Sequence, residues 1–118
     1  MRDKVYICSA FRGDTEANIR KTKEYCRWAA TKCGVIAIAP HLLFPQFLDD
    51  CKDAERELGI CFGLELLAEC SALWYFGDSV TQGMVIEINE ACRLGIPVRY
   101  VPEKEIQNQN ENGGIIYE

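Results

Sequence analysis

The sequence predicts an α/β domain of the three-layer Rossmann- or flavodoxin-like kind, with a parallel sheet of about 4–5 strands. Two observations carry that prediction. Short, almost wholly apolar runs alternate along the chain with segments of helical periodicity. Strands joined through helices pair in parallel by crossover connections, and strands this apolar belong to a sheet covered on both faces.

The elements follow in order. Val5 to Ser9 (VYICS) reads as the first strand and Ala10 to Asp14 as a loop. A helix is expected over Thr15 to Lys32, with an apolar stripe of Ile19, Tyr25 or Cys26, Ala29, Ala30 and Cys33, ended by Gly34. Val35 to Ala39 (VIAIA) reads as a buried strand stopped by Pro40. An irregular piece follows over His41 to Leu48, interrupted by Pro45. A second helix, capped by Asp49 or Asp50, then runs to about Cys70. Ala72 to Phe76 (ALWYF) is the third strand, Gln82 to Leu94 the third helix, closed by Gly95, and Pro97 to Val101 the fourth strand. Residues 1–102 are expected to form the domain and 103–118 a polar tail, in which Ile115 to Tyr117 offers an edge strand or an arm onto a neighbouring subunit.

Composition narrows the function classes. With 118 residues and 48% hydrophobic content, the chain is long and apolar enough for one ordinary globular core. A net charge of −5 and a pI near 4.9 leave no basic face for gripping a nucleic-acid polymer. No apolar run approaches a membrane span, and Met1-Arg2-Asp3-Lys4 does not read as a signal peptide, so the expected address is the cytoplasm. The seven cysteines show no CxxC and no zinc spacing, and they read as small buried hydrophobes. No metal and no cofactor is implied.

In open α/β sheets, ligands sit beyond the carboxyl ends of the strands. Here that rim is Ser9 to Asp14, Pro40 to Phe47 and Gly77 to Gly83. The strongest anomaly near it is Glu87. On a helical wheel it shares a side with Met84, Ile88, Ala91 and Leu94, so it faces the protein. A buried carboxylate is costly unless it is paired or serves a cleft. It is therefore either a group that works on a ligand or a structural acid held by an arginine or backbone amides. Gly83, one turn earlier on the same face, leaves room above it.

The loop Ser9-Ala10-Phe11-Arg12-Gly13 offers a hydroxyl, a guanidinium fork and an open backbone where phosphates commonly bind, though GxGxxG and the Walker pattern are absent. Thr81 is placed to cap the third helix, where its hydroxyl and the free amides of Gln82 and Gly83 suit an anion. His41, the sole histidine, follows the second strand as a structural hydrogen bonder or a base contact. Phe11, Phe44, Phe47 and Trp74 are core aromatics or stacking platforms.

Together these motifs resemble the nucleoside 2-deoxyribosyltransferase-like superfamily, in particular its 2′-deoxynucleoside 5′-phosphate N-hydrolase branch and short bacterial and phage relatives. Val5-Tyr6-Ile7-Cys8-Ser9-Ala10-Phe11-Arg12-Gly13 is similar to the family's opening strand and phosphate loop. Thr81-Gln82-Gly83-Met84-Val85-Ile86-Glu87-Ile88-Asn89-Glu90-Ala91 is similar to its S/T-x-G-x-x-x-E-[I/L]-x-x-A motif.

The resemblance implies N-glycosidic cleavage or transfer on a (deoxy)nucleoside or its 5′-monophosphate. Glu87 would be the nucleophile, Tyr6 would hold its carboxylate, and Ser9, Arg12, Gly13 and Thr81 would hold a 5′-phosphate. It also implies a homodimer or higher homo-oligomer. The family's aspartate for the leaving base aligns with Gly63, and Glu65 lies on another side of that helix. This departure gives the alternative expectation: a non-catalytic module that binds a nucleotide or a nucleotide-derived signal on the same fold.

Overall fold

Successive side chains of a β-strand point to opposite faces of the sheet, and in β1 (Lys4–Cys8) this alternation sorts the core into two halves. Val5 and Ile7 pack with Tyr25, Trp28 and Ala29 of α1 (Thr15–Lys32), together with Phe76, Val101 and Ile106. Tyr6 and Cys8 pack on the other side with Leu73, with Leu67 of α3 (Asp53–Leu67), and with Met84 and Ala91 of α4 (Gln82–Arg93). The site described below is thereby assigned to the face of β1 that α3 and α4 cover.

The computed structural model describes residues 2–107. Among them, β1, β2 (Ile36–Ile38), β3 (Ala72–Phe76) and β4 (Val98–Val101) form one parallel sheet in the order β2-β1-β3-β4. Tyr6 sits opposite Ile38 on one side and Leu73 on the other. The chain leaves β1 for β2 on one side and continues through β3 and β4 on the other, so the topological switch point lies between β1 and β3. Ile7, Leu67, Leu73 and Phe76 are at most 1% exposed; burial of each contributes about 1.5–3 kcal/mol. Tyr25 stacks on Phe76 at 4.5 Å, and Trp28 meets the same ring edge-on at 6.2 Å. No helix among the described residues is long and apolar enough to cross a membrane.

Several elements differ from the sequence reading. The buried face of α1 runs through Thr22, Tyr25, Trp28 and Ala29, while Ala30 and Cys33 are exposed. The large Trp28 ring, packed against Trp74 and Phe76, turns the helix toward the sheet's aromatics. β2 is a half-buried edge strand with Ile36 exposed, not a buried one. β4 occupies the other edge, where Arg99 lies over Trp74 at 5.0 Å.

The irregular piece after β2 is ordered as α2 (Pro40–Leu43), led by a proline suited to a first helical turn, followed by a 3₁₀ turn over Phe44–Gln46. α3 begins only at Asp53 and ends at Leu67. Its N-cap residue is Lys52, and the Asp49 carboxylate instead accepts from the Cys51 amide.

Residues 103–107 make a helical turn that buries Ile106 in the core, so the polar tail opens with a core contact. The expected arm at Ile115 to Tyr117 lies outside the described residues. Of the cysteines only Cys8 and Cys70 are buried; Cys26 is intermediate, and Cys33, Cys51, Cys61 and Cys92 are exposed, against the expectation of small buried hydrophobes.

Candidate functional site

The loops after β1, β2 and β3 open a cleft of about 260 Å³ over the carboxyl ends of the central strands. Its walls come from Ser9, Phe11 and Arg12 after β1, from Pro40 and His41 after β2, and from Thr81, Gln82 and Gly83 at the start of α4. α3 closes the far side with Arg56, Gly59, Ile60, Gly63 and Leu64. These α3 positions recur at helical spacing, and the two glycines widen the cleft where side chains would fill it.

Glu87 lines the cleft and is only 9% exposed. The Tyr6 hydroxyl donates to its Oε2, and the Cys8 thiol donates to its Oε1 at 3.3 Å. No arginine pairs with it. Burial raises the carboxyl from its ordinary 4.5 to about 7, against the two hydrogen bonds, which lower it. Tyr6 is fully buried, and both burial and the neighbouring carboxylate raise its hydroxyl well above the ordinary range. Cys8 is raised for the same reasons, so it is a thiol at every physiological pH.

Thr81 caps α4: its Oγ1 accepts from the Met84 amide at 3.2 Å. An added Cβ at Gly83 would meet only that oxygen, at 3.9 Å, so the space above Glu87 is open. At Gly63 the situation is different. A Cβ there would meet Pro40 at an ordinary 3.7 Å but would lie only 3.1 Å from the Tyr6 hydroxyl oxygen, which would have to give by a few tenths of an ångström.

On the opposite wall the Phe11 and His41 rings stack at 5.0 Å, 17° from parallel, and form a flat aromatic surface. Burial lowers His41 below its ordinary value, partly countered by Asp50, so the ring is neutral at pH 7. Arg12 pairs with Asp50 at 2.8 Å, and Arg56 approaches the other Asp50 oxygen at 3.9 Å. The two cations therefore share the Asp50 carboxylate, with Glu55 as a second carboxylate lining the same end of the cleft.

The sequence-derived candidates Tyr6, Ser9, Phe11, Arg12, His41, Thr81, Gly83 and Glu87 all line this cleft. Gly13 does not; its φ of +105° serves the turn into α1. Ser9 lines it but is 3% exposed, and its hydroxyl is engaged with Thr22 at 2.7 Å. Phe44 reaches the cleft, whereas Phe47 is exposed and Trp74 packs under α1. Glu65 is exposed on the outer side of α3.

Sequence reasoning missed the Cys8 contact with Glu87. It also missed Thr22 behind Ser9 and the pairing of Asp50 with both arginines. The period-2 pattern of β1 held the signal for Cys8, which shares the Tyr6 face. Among the described residues no group of three or more His, Cys, Asp or Glu side chains is arranged to hold a metal ion.

A family model described as "Domain of unknown function (DUF7768)" matches residues 3–101, and the chain belongs to that family. No curated protein matches the sequence. Among solved structures, the chain is similar to a 2-deoxyribosyltransferase from the psychrotolerant bacterium Bacillus psychrosaccharolyticus. The TM-score is 0.67 at 17% identity, over 84% of this chain and 72% of that one. At that identity the likeness is one of fold.

Proposed function

We propose that this DUF7768 member cleaves or transfers the N-glycosidic bond of a (deoxy)nucleoside or its 5′-monophosphate, with Glu87 as the nucleophile. The observation that carries this reading is the placement of Glu87. A carboxylate without a cationic partner is buried at the switch point of the sheet, held at both oxygens and open to a cleft on its Gly83 side. The fold shared with a 2-deoxyribosyltransferase supports the same chemistry.

In the first step a Glu87 oxygen bonds to C1′ as the C1′–N bond breaks; the electron pair leaves with the base, which takes up a proton. In the second step the oxygen of water attacks C1′, the ester bond breaks, and Glu87 returns as a carboxylate while the water loses a proton to solvent. A nitrogen of a second base in place of water gives transfer. Tyr6 positions the carboxylate. The Phe11–His41 surface receives the base. Arg12 and the α4 N-terminus at Thr81 and Gly83 receive a 5′-phosphate, for which Arg12 exchanges its exposed Asp50 partner.

One observation favours a second reading, a module that binds a nucleotide without turning it over. No acid stands at Gly63, where the Tyr6 hydroxyl occupies the adjoining space, and Asp50 is tied to two arginines. Loss of a general acid costs on the order of 10²–10⁴ in rate.

The test is incubation of the protein with deoxynucleosides, ribonucleosides and their 5′-monophosphates, with free base read by chromatography and Glu87→Gln run in parallel. Base released by the wild type and not by the variant supports the enzyme. Thermal stabilisation by a nucleotide that is recovered intact supports the binder. No turnover and no stabilisation by any of them overturns both.

A further inference from the structure

Among the described residues, Cys8 is the one group touching the Glu87 carboxylate that the proposed chemistry does not use. It is fully buried on β1, two residues after Tyr6 and on the same face of the strand. Its Sγ lies 3.3 Å from Glu87 Oε1 and 3.8 Å from the Met84 carbonyl oxygen. Tyr6, which holds Oε2, lines the cleft; Cys8 does not. The two donors therefore hold different oxygens of the carboxylate, one from a cleft-lining residue and one from a fully buried core residue.

We propose that Cys8 is a positioning residue for Glu87: its thiol pins Oε1 from the core side, leaving Oε2, beside Tyr6, as the oxygen turned toward the ligand. This rests on the reading of Glu87 as the reacting group. The single thiol proton has two acceptors within reach. While Glu87 is ionised, the carboxylate is the stronger acceptor and takes the proton. When Glu87 is protonated, or esterified through Oε2, Oε1 becomes a weaker carbonyl-type acceptor and the Met84 carbonyl competes for it. The thiol thus favours the charged form of Glu87 over its neutral forms. A thiol is a weak donor, so it orients the carboxylate while suppressing its nucleophilicity less than a second hydroxyl would.

The groups facing Glu87 from the surrounding elements are fixed in this comparison. They are Tyr6 on β1, which touches it, and the other titratable groups lining the cleft: Arg12 after β1, His41 on α2, Asp50 before α3, and Glu55 and Arg56 on α3. None is altered when Cys8 is replaced.

The experiment is a titration of the Glu87 side-chain carboxyl by carbon NMR with labelled glutamate, the signal being identified by its absence in Glu87→Gln. Wild type is compared with Cys8→Val, which keeps most of the volume without the donor, with Cys8→Ala, and with Cys8→Ser, which restores a donor. The midpoint is expected to rise by about 0.5–1 pH unit in Val and Ala and to return toward wild type in Ser. If base release is detected, the rising limb of its pH profile moves with the midpoint.

Equal midpoints in all variants overturn the proposal, as does an equal rise in Ser, Val and Ala, which would mark a packing effect. Should Ala fail to fold, the Val and Ser pair decides. The titration needs no turnover, so a protein that releases no base ends the enzyme reading while still answering for Cys8.

Discussion

Replacing Glu87 with glutamine should make the protein more stable at alkaline pH, while leaving it nearly unchanged at acid pH. The Glu87 carboxyl is raised from 4.5 to about 7 by burial. Between those values the folded chain holds a proton that the unfolded chain has released, so stability falls as pH rises through this window. The cost is absent below 4.5 and complete above about 7. At about 1.4 kcal/mol per tenfold change, it amounts to about 3 kcal/mol, most of it appearing between pH 5 and 8.5.

Glutamine keeps the shape and an acceptor for Tyr6 but carries no charge to desolvate. Urea unfolding at several pH values should therefore give wild-type and Glu87→Gln curves that lie within about 1 kcal/mol near pH 5 and separate to about 3 kcal/mol near pH 8.5, the variant being the more stable. His41, lowered by burial, destabilises the fold as pH falls, but it is present in both proteins and cancels in the difference. Parallel curves with a constant offset would refute the reasoning, since the buried carboxylate would then not be the group titrating in this window.

Tyr6→Phe removes the donor to Glu87 Oε2 and should move the carboxyl titration further above 7, with the rising limb of any base-release profile shifting the same way; an unmoved limb would detach Tyr6 from Glu87. Arg12→Ala breaks an exposed ion pair with Asp50, so stability should change by less than about 1 kcal/mol. Affinity for a 5′-monophosphate should fall at least about tenfold while that for the nucleoside holds, as isothermal calorimetry would measure. Gly63→Asp should not repair the site. Its Cβ would press on the Tyr6 hydroxyl at 3.1 Å, costing roughly 1–3 kcal/mol in urea unfolding; a variant as stable as wild type with faster base release would contradict this.

The parts of the molecule legible in the sequence are those set by local periodicity. Glu87 stood out because one helix carries Met84, Glu87 and Ala91 on a common face, and the structure buries those three. Thr81 and Gly95 bound that helix by capping chemistry that needs no tertiary context.

What escaped depends on contacts between distant segments. Cys8 and Glu87 are 79 positions apart, and Arg12 and Asp50 are 38 apart. Asp50 reaches the cleft only because α2 and the 3₁₀ turn fold the segment after β2 back toward α3. Pro40 and Pro45 in that segment resemble loop punctuation, although Pro40 fits the first turn of a helix. In α1 the stripe was misplaced because Tyr25, Trp28 and Ala29 form the buried face and the packing of a tryptophan overrode a weak pattern.

The glycine at 63 and the tyrosine on Glu87 are one feature viewed from two helices. The Tyr6 ring is fully buried between β1 and α3, and its hydroxyl ends where a side chain on residue 63 would begin. Glycine at 63 therefore leaves Tyr6 unhindered in reaching Glu87, whereas a side chain at 63 would press on the Tyr6 hydroxyl and require it to shift by a few tenths of an ångström. A carboxyl there would also bring a second negative charge beside one that burial already disfavours. On the proposed glycosidic reading, a proton for a departing base would come from solvent or from the other wall of the cleft. That wall carries the neutral His41 ring against Phe11, and Asp50 between two arginines. Asp50 is engaged by both arginines, and a neutral imidazole gives up its N–H proton far less readily than an imidazolium does, so on the proposed reading this wall orients the base more than it protonates it. On that reading the chain would favour substrates whose base departs with little help, and the ratio of rates on activated and ordinary bases would report it directly.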